Sequence, residues 1–389
     1  MAEPGTIGRQ IRVFRHERGL TQEQLAERAQ VSVDLVKKLE QGARQDARAT
    51  YLMRLARALD IDLSELTGRR PRISVRDGAS VQAIRDVLLC PSLLPGFEAD
   101  DDGEPASAEE MSRAVARAWE LYWSGDFAEL TRRLPGLVAE ARVTGVAGLL
   151  AQAYQLAACL MVHFGRDDLA VLGAERAVTA AAEGEDELLW ATLNGTYAWA
   201  MLHQGRAREA ETHAMRVAER IEPTFTSPPA HLVVWGGLLL TALAAAAAES
   251  RKASAEELIS LSRAAATRFT GGDRHDYQVP FGPTQVAMQA THAYTMLREP
   301  GEALRSAAGV RREDLRTIAY GRHLVDKAQA QVDAGYDRAA ERTLTEAHEL
   351  SAVWFRHQGP ARSLVARLRE QQTRLTPGLR QLARSIDAR

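Results

Sequence analysis

The chain is poor in residues that crosslink, stack or catalyse. Its 389 residues include two cysteines, Cys90 and Cys159, and they form no CxxC pair. That predicts two reduced thiols in a cytosolic protein rather than a disulfide framework. Aromatic residues make up 6% of the chain, while alanine is abundant throughout. Sheets want β-branched and aromatic side chains, so this balance favours packed helices. Catalytic signatures are missing: no HExxH, GxSxG, Walker loop or Rossmann glycine pattern occurs. The ten histidines are scattered without metal spacing. No enzymatic activity, cofactor, metal or catalytic residue is therefore expected. No signal peptide is expected, because Met1–Gly5 runs straight into a charged amphipathic helix. One apolar run, Leu232–Ala248, is at the short limit for a membrane span and is mostly alanine. Its phase with neighbouring helix pairs predicts a buried helix and no membrane partner.

What is present is globular and uneven in charge. Hydrophobic residues are 46% and charged residues 26%, within the globular range. Residues 1–72 carry 14 Lys and Arg against 10 Asp and Glu, a net of +4, which leaves −6 for the rest. A basic front on an acidic body is what a DNA-binding head requires. The front reads as five short helices. Ile7, Ile11 and Phe14 share one face, with Val13 alongside, and Gly19 ends that helix. Thr21 and Gln24 have the spacing of a capping box. Ser32 caps a third helix that buries Leu35, Val36 and Leu39 and stops at Gly42. A fourth helix, Ala49–Leu59, turns Leu52, Leu55, Ala56 and Leu59 inward, and Asp62–Leu66 makes a last short turn.

The stretch GLTQEQLAERAQVSVDLVKKLEQG, followed by LMRLARALDIDLSEL, resembles the Cro/CI-type (XRE-family) helix-turn-helix over about residues 7–67. The resemblance implies a second helix that enters the major groove. It places Gln22 and its helix N-terminus at phosphate, Ser32, Val33, Asp34, Lys37 and Lys38 along the groove, and Arg44 and Arg48 on the backbone. Phage members of the family carry amides where Val33 and Asp34 stand. An amide reads adenine in a way that Val and Asp do not, so the fold transfers and the base preference does not. Lys37 and Lys38 are two of only four lysines, with Lys252 and Lys327. Each of these residues also has an ordinary use, since Asp34 near a helix start and lysines near its end suit the helix dipole without DNA.

Beyond the head, residues 71–106 read as a linker with one short amphipathic helix, about Ser80–Leu89, and an acidic loop. The body then repeats. Gly125, Gly165 and Gly205 lie 40 residues apart, each between a long apolar helix and an alanine-spaced one such as Ala170, Ala174 and Ala177. This resembles the tetratricopeptide repeat with lengthened helices over about residues 108–374. The resemblance implies a right-handed superhelix with a concave groove lined by first helices. The expected fold is all-α: a helix-turn-helix head (1–70), a linker (71–106) and a TPR-like solenoid of about six to seven helix pairs (107–389).

Aligning the turn glycines brings Trp119, Gln152, Gln155, Cys159, Thr196, Trp199, Gln285, Gln289, His292, Arg322, Asp326 and Gln329 to the groove. Trp119, Cys159 and Trp199 are equivalent, and core packing is the commoner explanation of a Trp at helical spacing. From the polar set, Gln155, Gln285, Gln289, His292, Arg322 and Asp326 with Trp199 form the expected effector site. Arg322 and Asp326, four apart on one helix, would otherwise simply pair. The rigid stretch Pro280–Thr284 would enter the same groove. Head plus solenoid resembles the peptide-sensing RRNPP-type regulators. The expectation is a cytoplasmic, homodimeric transcription regulator. It would bind an inverted-repeat double-stranded operator and sense a small molecule or peptide. The alternative is an interaction adaptor whose solenoid docks a protein and whose head is a secondary DNA anchor.

Overall fold

The computed structural model describes residues 7–42, 47, 49–59, 61, 66, 79–90, 105–371 and 374–387. The head contributes α1 (Ile7–Glu17), α2 (Gln22–Ala29), α3 (Val33–Glu40) and α4 (Ala49–Ala58). The expected turn at Asp62–Leu66 falls outside the described residues apart from Leu66, which is buried. Thr21 accepts from the Gln24 amide while the Gln24 side chain returns to the Thr21 N–H, the reciprocal cap read from the sequence. The turn between α2 and α3 puts Gln30 in the left-handed region at φ 51°. Its amide closes on Glu27 and that of Val31 on Ala26. Ile11, Leu25, Leu35, Val36, Leu39, Leu52, Leu55 and Leu59 form the head's own core. Val13 departs from the expectation and faces solvent. Its position is one step off the stripe, and Phe14 and Ile7 pack on the core instead.

A single helix, α5 (Ala79–Leu88), sits against the body through Ile84 and Leu88. The Arg142 guanidinium grips the Val87 carbonyl there. Six helix pairs follow. They are α6 (Ala108–Ser124) with α7 (Phe127–Thr144), α8 (Ala147–His163) with α9 (Asp167–Ala182), and α10 (Glu187–His203) with α11 (Ala207–Arg220). Next come α12 (Pro229–Ala248) with α13 (Lys252–Ala266), α14 (Pro283–Met296) with α15 (Pro300–Ala307), and α16 (Thr317–Asp333) with α17 (Asp337–Leu350). Three shorter helices close the chain: α18 (Ala352–His357), α19 (Gly359–Gln371) and α20 (Pro377–Asp387).

Gly125, Gly165 and Gly205 sit at φ 82°, 63° and 76°, the left-handed conformation that reverses the chain within each pair. The alanine spacing then lets partner helices approach closely: Ala170, Ala174 and Ala177 are fully buried. First helices pack side by side in the order α6, α8, α10, α12, α14, α16, and α16 also touches α6. The inner layer therefore curls almost onto itself. Ile318 of α16 lies where a Cβ on Gly125 would come within 2.7 Å.

Helix α12 is the one described helix long and apolar enough to cross a membrane. It is enclosed by α10, α11, α13 and α14, with thirteen of its residues buried. The all-α expectation needs one amendment. Between α13 and α14 the chain forms a small hairpin, β1 (Arg274–Asp276) paired antiparallel with β2 (Val279–Phe281). Pro280–Thr284 is thus a strand end and a helix start. Phe281 is fully buried against α12, where Gly236 leaves the space its ring fills.

Candidate nucleic-acid interface and inner groove

The α3 helix is fixed from below. Arg15 of α1, 7% exposed, donates to both Glu40 oxygens at 2.7 and 3.0 Å and to the Leu20 carbonyl at 2.7 Å. Gln22 adds a third donor to Glu40 at 2.7 Å. Burial pushes the Glu40 carboxyl up, but the Arg15 and Gln22 hydrogen bonds outweigh it and hold it below the ordinary range. This network ties α1, α2 and α3 together. It engages one N–H of the Gln22 amide, the residue that the family resemblance assigned to phosphate.

Above it lies an exposed polar face. Ser32 Oγ accepts from the Leu35 amide at 3.2 Å, so its acceptor is engaged as a cap. Asp34, Lys37 and Lys38 are exposed, and Val33 is half-buried against the head core. Lys38 pairs with Asp34 at 2.8 Å and Lys37 with Glu23 at 3.3 Å. Such exposed pairs are weak because water screens them, so both lysines can be redirected cheaply. Arg44 and Arg48 lie outside the described residues.

The head rests on the body through α4, beside the turn between α2 and α3. Arg54 of α4 reaches Glu249 at 2.6 Å, which Arg208 also approaches at 3.5 Å. The Met53 Cβ lies 2.8 Å from where a side chain on Gly205 would begin. A cleft of about 590 Å³ runs along this seam, lined by Arg28, Arg57 and Arg206 among others.

The structure sorts the expected effector residues into two groups. Gln155 and Gln285 are nearly inaccessible, at 4% exposure each. Gln155 donates to Thr196 across α8 and α10 at 3.0 Å. Gln285 stands in the first turn of α14, where Asp273 caps the Thr284 and Gln285 amides at 2.8 and 2.7 Å. Trp119 and Cys159 are also core residues. Burial pushes the Cys159 thiol up to about 12, so it is inert. Trp199, Gln289, His292, Arg322 and Asp326 remain reachable. His292 Nδ1 meets Asp326 Oδ2 at 3.1 Å. Burial raises the Asp326 carboxyl, but the charges and hydrogen bond of His292, then Arg322, bring it below the usual range.

Residues that the glycine alignment left out complete this wall. Tyr122 OH lies 3.2 Å from His163 Nε2. His203 stands edge-on to Trp199 at 5.0 Å, and His163 stacks on Phe127 at 4.8 Å. Burial, then the positive charge of Arg322, drives both His163 and His203 down to about 3. The hairpin tip joins from the other side. Tyr277 and Gln278 both have positive φ, 52° and 62°, and the Trp123 indole N–H donates to Gln278 Oε1 at 2.8 Å. A signal for these residues existed. Trp123, His163 and His203 each stand two places before a turn glycine, at the same 40-residue spacing as Trp119, Cys159 and Trp199.

Residues 6–76 match the family described as a helix-turn-helix domain. The head is such a domain, and α2, the turn and α3 all fall within the matched residues. Among solved structures, one similar chain is Bacillus thuringiensis PlcR, crystallised with the peptide PapR7 and DNA. It is 11% identical, with 95% of this chain and 99% of that chain covered and a TM-score of 0.36. A PrgX mutant is similar at 11% identity, 97% and 99% coverage and a TM-score of 0.27. No curated protein matches the sequence.

Proposed function

We propose that the protein is a sequence-specific DNA-binding transcription regulator, with a head (1–70) and linker (71–106) attached to a sensing and dimerisation body (107–389). The observation that carries this is the outer face of α3. A capped helix, anchored beneath by Arg15–Glu40, presents Asp34, Lys37 and Lys38 to solvent while the body docks elsewhere on the head. Val33 would meet a thymine methyl, Asp34 would accept from cytosine N4, and Lys38 would donate to guanine O6 or N7. Arg44 and Arg48 would hold the backbone. A single head offers few base contacts, so the reading includes a homodimer on an inverted repeat with half-sites about 10–10.5 base pairs apart or a multiple of that. The burial of α12 supports a cytoplasmic rather than a membrane location.

Selection from random duplex DNA with the full-length protein tests this. The expected outcome is one enriched inverted repeat, bound by a dimer in light scattering, with steep salt dependence. Only nonspecific, equally salt-sensitive binding would overturn it in favour of the adaptor reading.

A further inference from the structure

One cation of the inner groove, the exposed Arg322, has no counter-ion among the described residues. Arg322 projects from the first turns of α16, and among the described residues no carboxylate lies within ion-pair distance of it. Its neighbour one turn on, Asp326, is turned to His292 instead. The helical pair that the sequence allowed is not formed. The groups that feel the Arg322 charge are Tyr122, His163, His203 and Asp326, drawn from α6, α8, α10 and α16. The closure of α16 onto α6 makes this meeting possible.

The surroundings define what would neutralise the charge. A guanidinium fork matches a carboxylate with two parallel hydrogen bonds. The imidazoles beside it are neutral at physiological pH, so they offer hydrogen bonds and ring surface without adding charge. The Arg322 charge, with the Asp326 carboxylate a turn away, is balanced by a single negative charge. The rest of the wall is aromatic: Trp199 against His203, and Tyr122 edge-on to Trp123 at 5.1 Å. Such a wall buries an apolar body next to the anchored anion.

We propose that the groove is a receptor for a monocarboxylate with an apolar body, its carboxylate held by Arg322 and its body lying on Trp199. Two sources share that chemistry, a free organic acid and the C-terminus of an apolar peptide. The proposal rests on the reading of the body as the effector domain, and it is tested without DNA.

The probes are phenylacetate, indole-3-acetate and octanoate, each with its amide, and a pool of apolar pentapeptides with free or amidated C-termini. Binding is followed on the full-length protein by isothermal titration calorimetry. At least one free carboxylate should bind saturably and at least tenfold more tightly than its amide. Arg322→Gln should remove that preference, whereas Arg305→Gln, at an exposed pair outside the groove, should keep it. Acids binding without peptides identifies a free acid, and the reverse identifies a peptide terminus. Equal affinity for acid and amide, a preference that survives Arg322→Gln, or no saturable binding by either set overturns the proposal. If the acid preference holds but the ligand leaves operator affinity unchanged, the receptor stands and the regulatory reading fails.

Discussion

The head and the body solve the problem of a stable interior in different ways. The head is small, so it uses polar fasteners: a capping box at Thr21, a Ser32 cap, and a buried guanidinium–carboxylate–amide network under α3. The body is long and fastens itself by proximity, with alanines buried along α9 and α11 and left-handed glycines at its first three pair turns. A fastened unit fails when one fastener is removed. A stacked unit fails when one close approach is blocked.

The largest effect expected from that contrast is in the head. Glu40→Ala leaves Arg15 buried without its carboxylate, which should cost about 3–5 kcal/mol. Differential scanning calorimetry should show the head transition falling or vanishing while the body transition stays put. A shared loss would mean that the two do not melt separately. The matching change in the body is Gly236→Ala, whose methyl meets the Phe281 ring. Overpacking of this kind costs about 1–3 kcal/mol. It should lower only the body transition and loosen the hairpin, read as a change in Trp123 fluorescence.

Acid should separate the two units further. His163 and His203 are held near 3 and His275 and His323 near 4, each chiefly by burial, and all four are in the body. In the unfolded chain a histidine takes its proton below about 6.5. The unfolded body therefore binds more protons than the folded one between about 6.5 and 3. Its stability is fully present above that window and declines as pH falls through it. Urea midpoints measured from pH 7 to pH 4.5 should drop for the body, and a flat profile would contradict the burial of these rings.

Two smaller effects concern the DNA face. Lys38→Ala should cost about 1–3 kcal/mol on the selected operator and little on random DNA, read by fluorescence anisotropy. Equal losses on both would reassign Lys38 to the backbone. The same substitution should change the stability of the head by less than about 1 kcal/mol, because its pair with Asp34 is exposed.

The same contrast explains what the sequence made legible. Caps, turns and burial stripes are local, and they appear where Thr21, Ser32, Gly125, Gly165 and Gly205 place them. Fasteners between distant residues are not local. Nothing in the spacing of Arg15, Gln22 and Glu40 announces a network, and the resemblance assigned Gln22 to phosphate alone. In the body the alignment on the turns brought Trp199, His292, Arg322 and Asp326 to the inner wall, yet one helical face blurs into the next. Gln155 and Gln285 fell on the buried side of that boundary. The contact between α16 and α6 is a property of the whole curl, and no single repeat encodes it.

The head is seated on the turn that ends α10. Trp199 and His203 belong to the last turn of that helix, and Gly205, against which Met53 lies, is two residues further on. At about 1.5 Å of rise per residue, the aromatic wall of the groove and the seat of the head belong to one helix end. On the proposed reading, a ligand pressing the inside of that turn would act on the seat of the head without a relay through the rest of the protein.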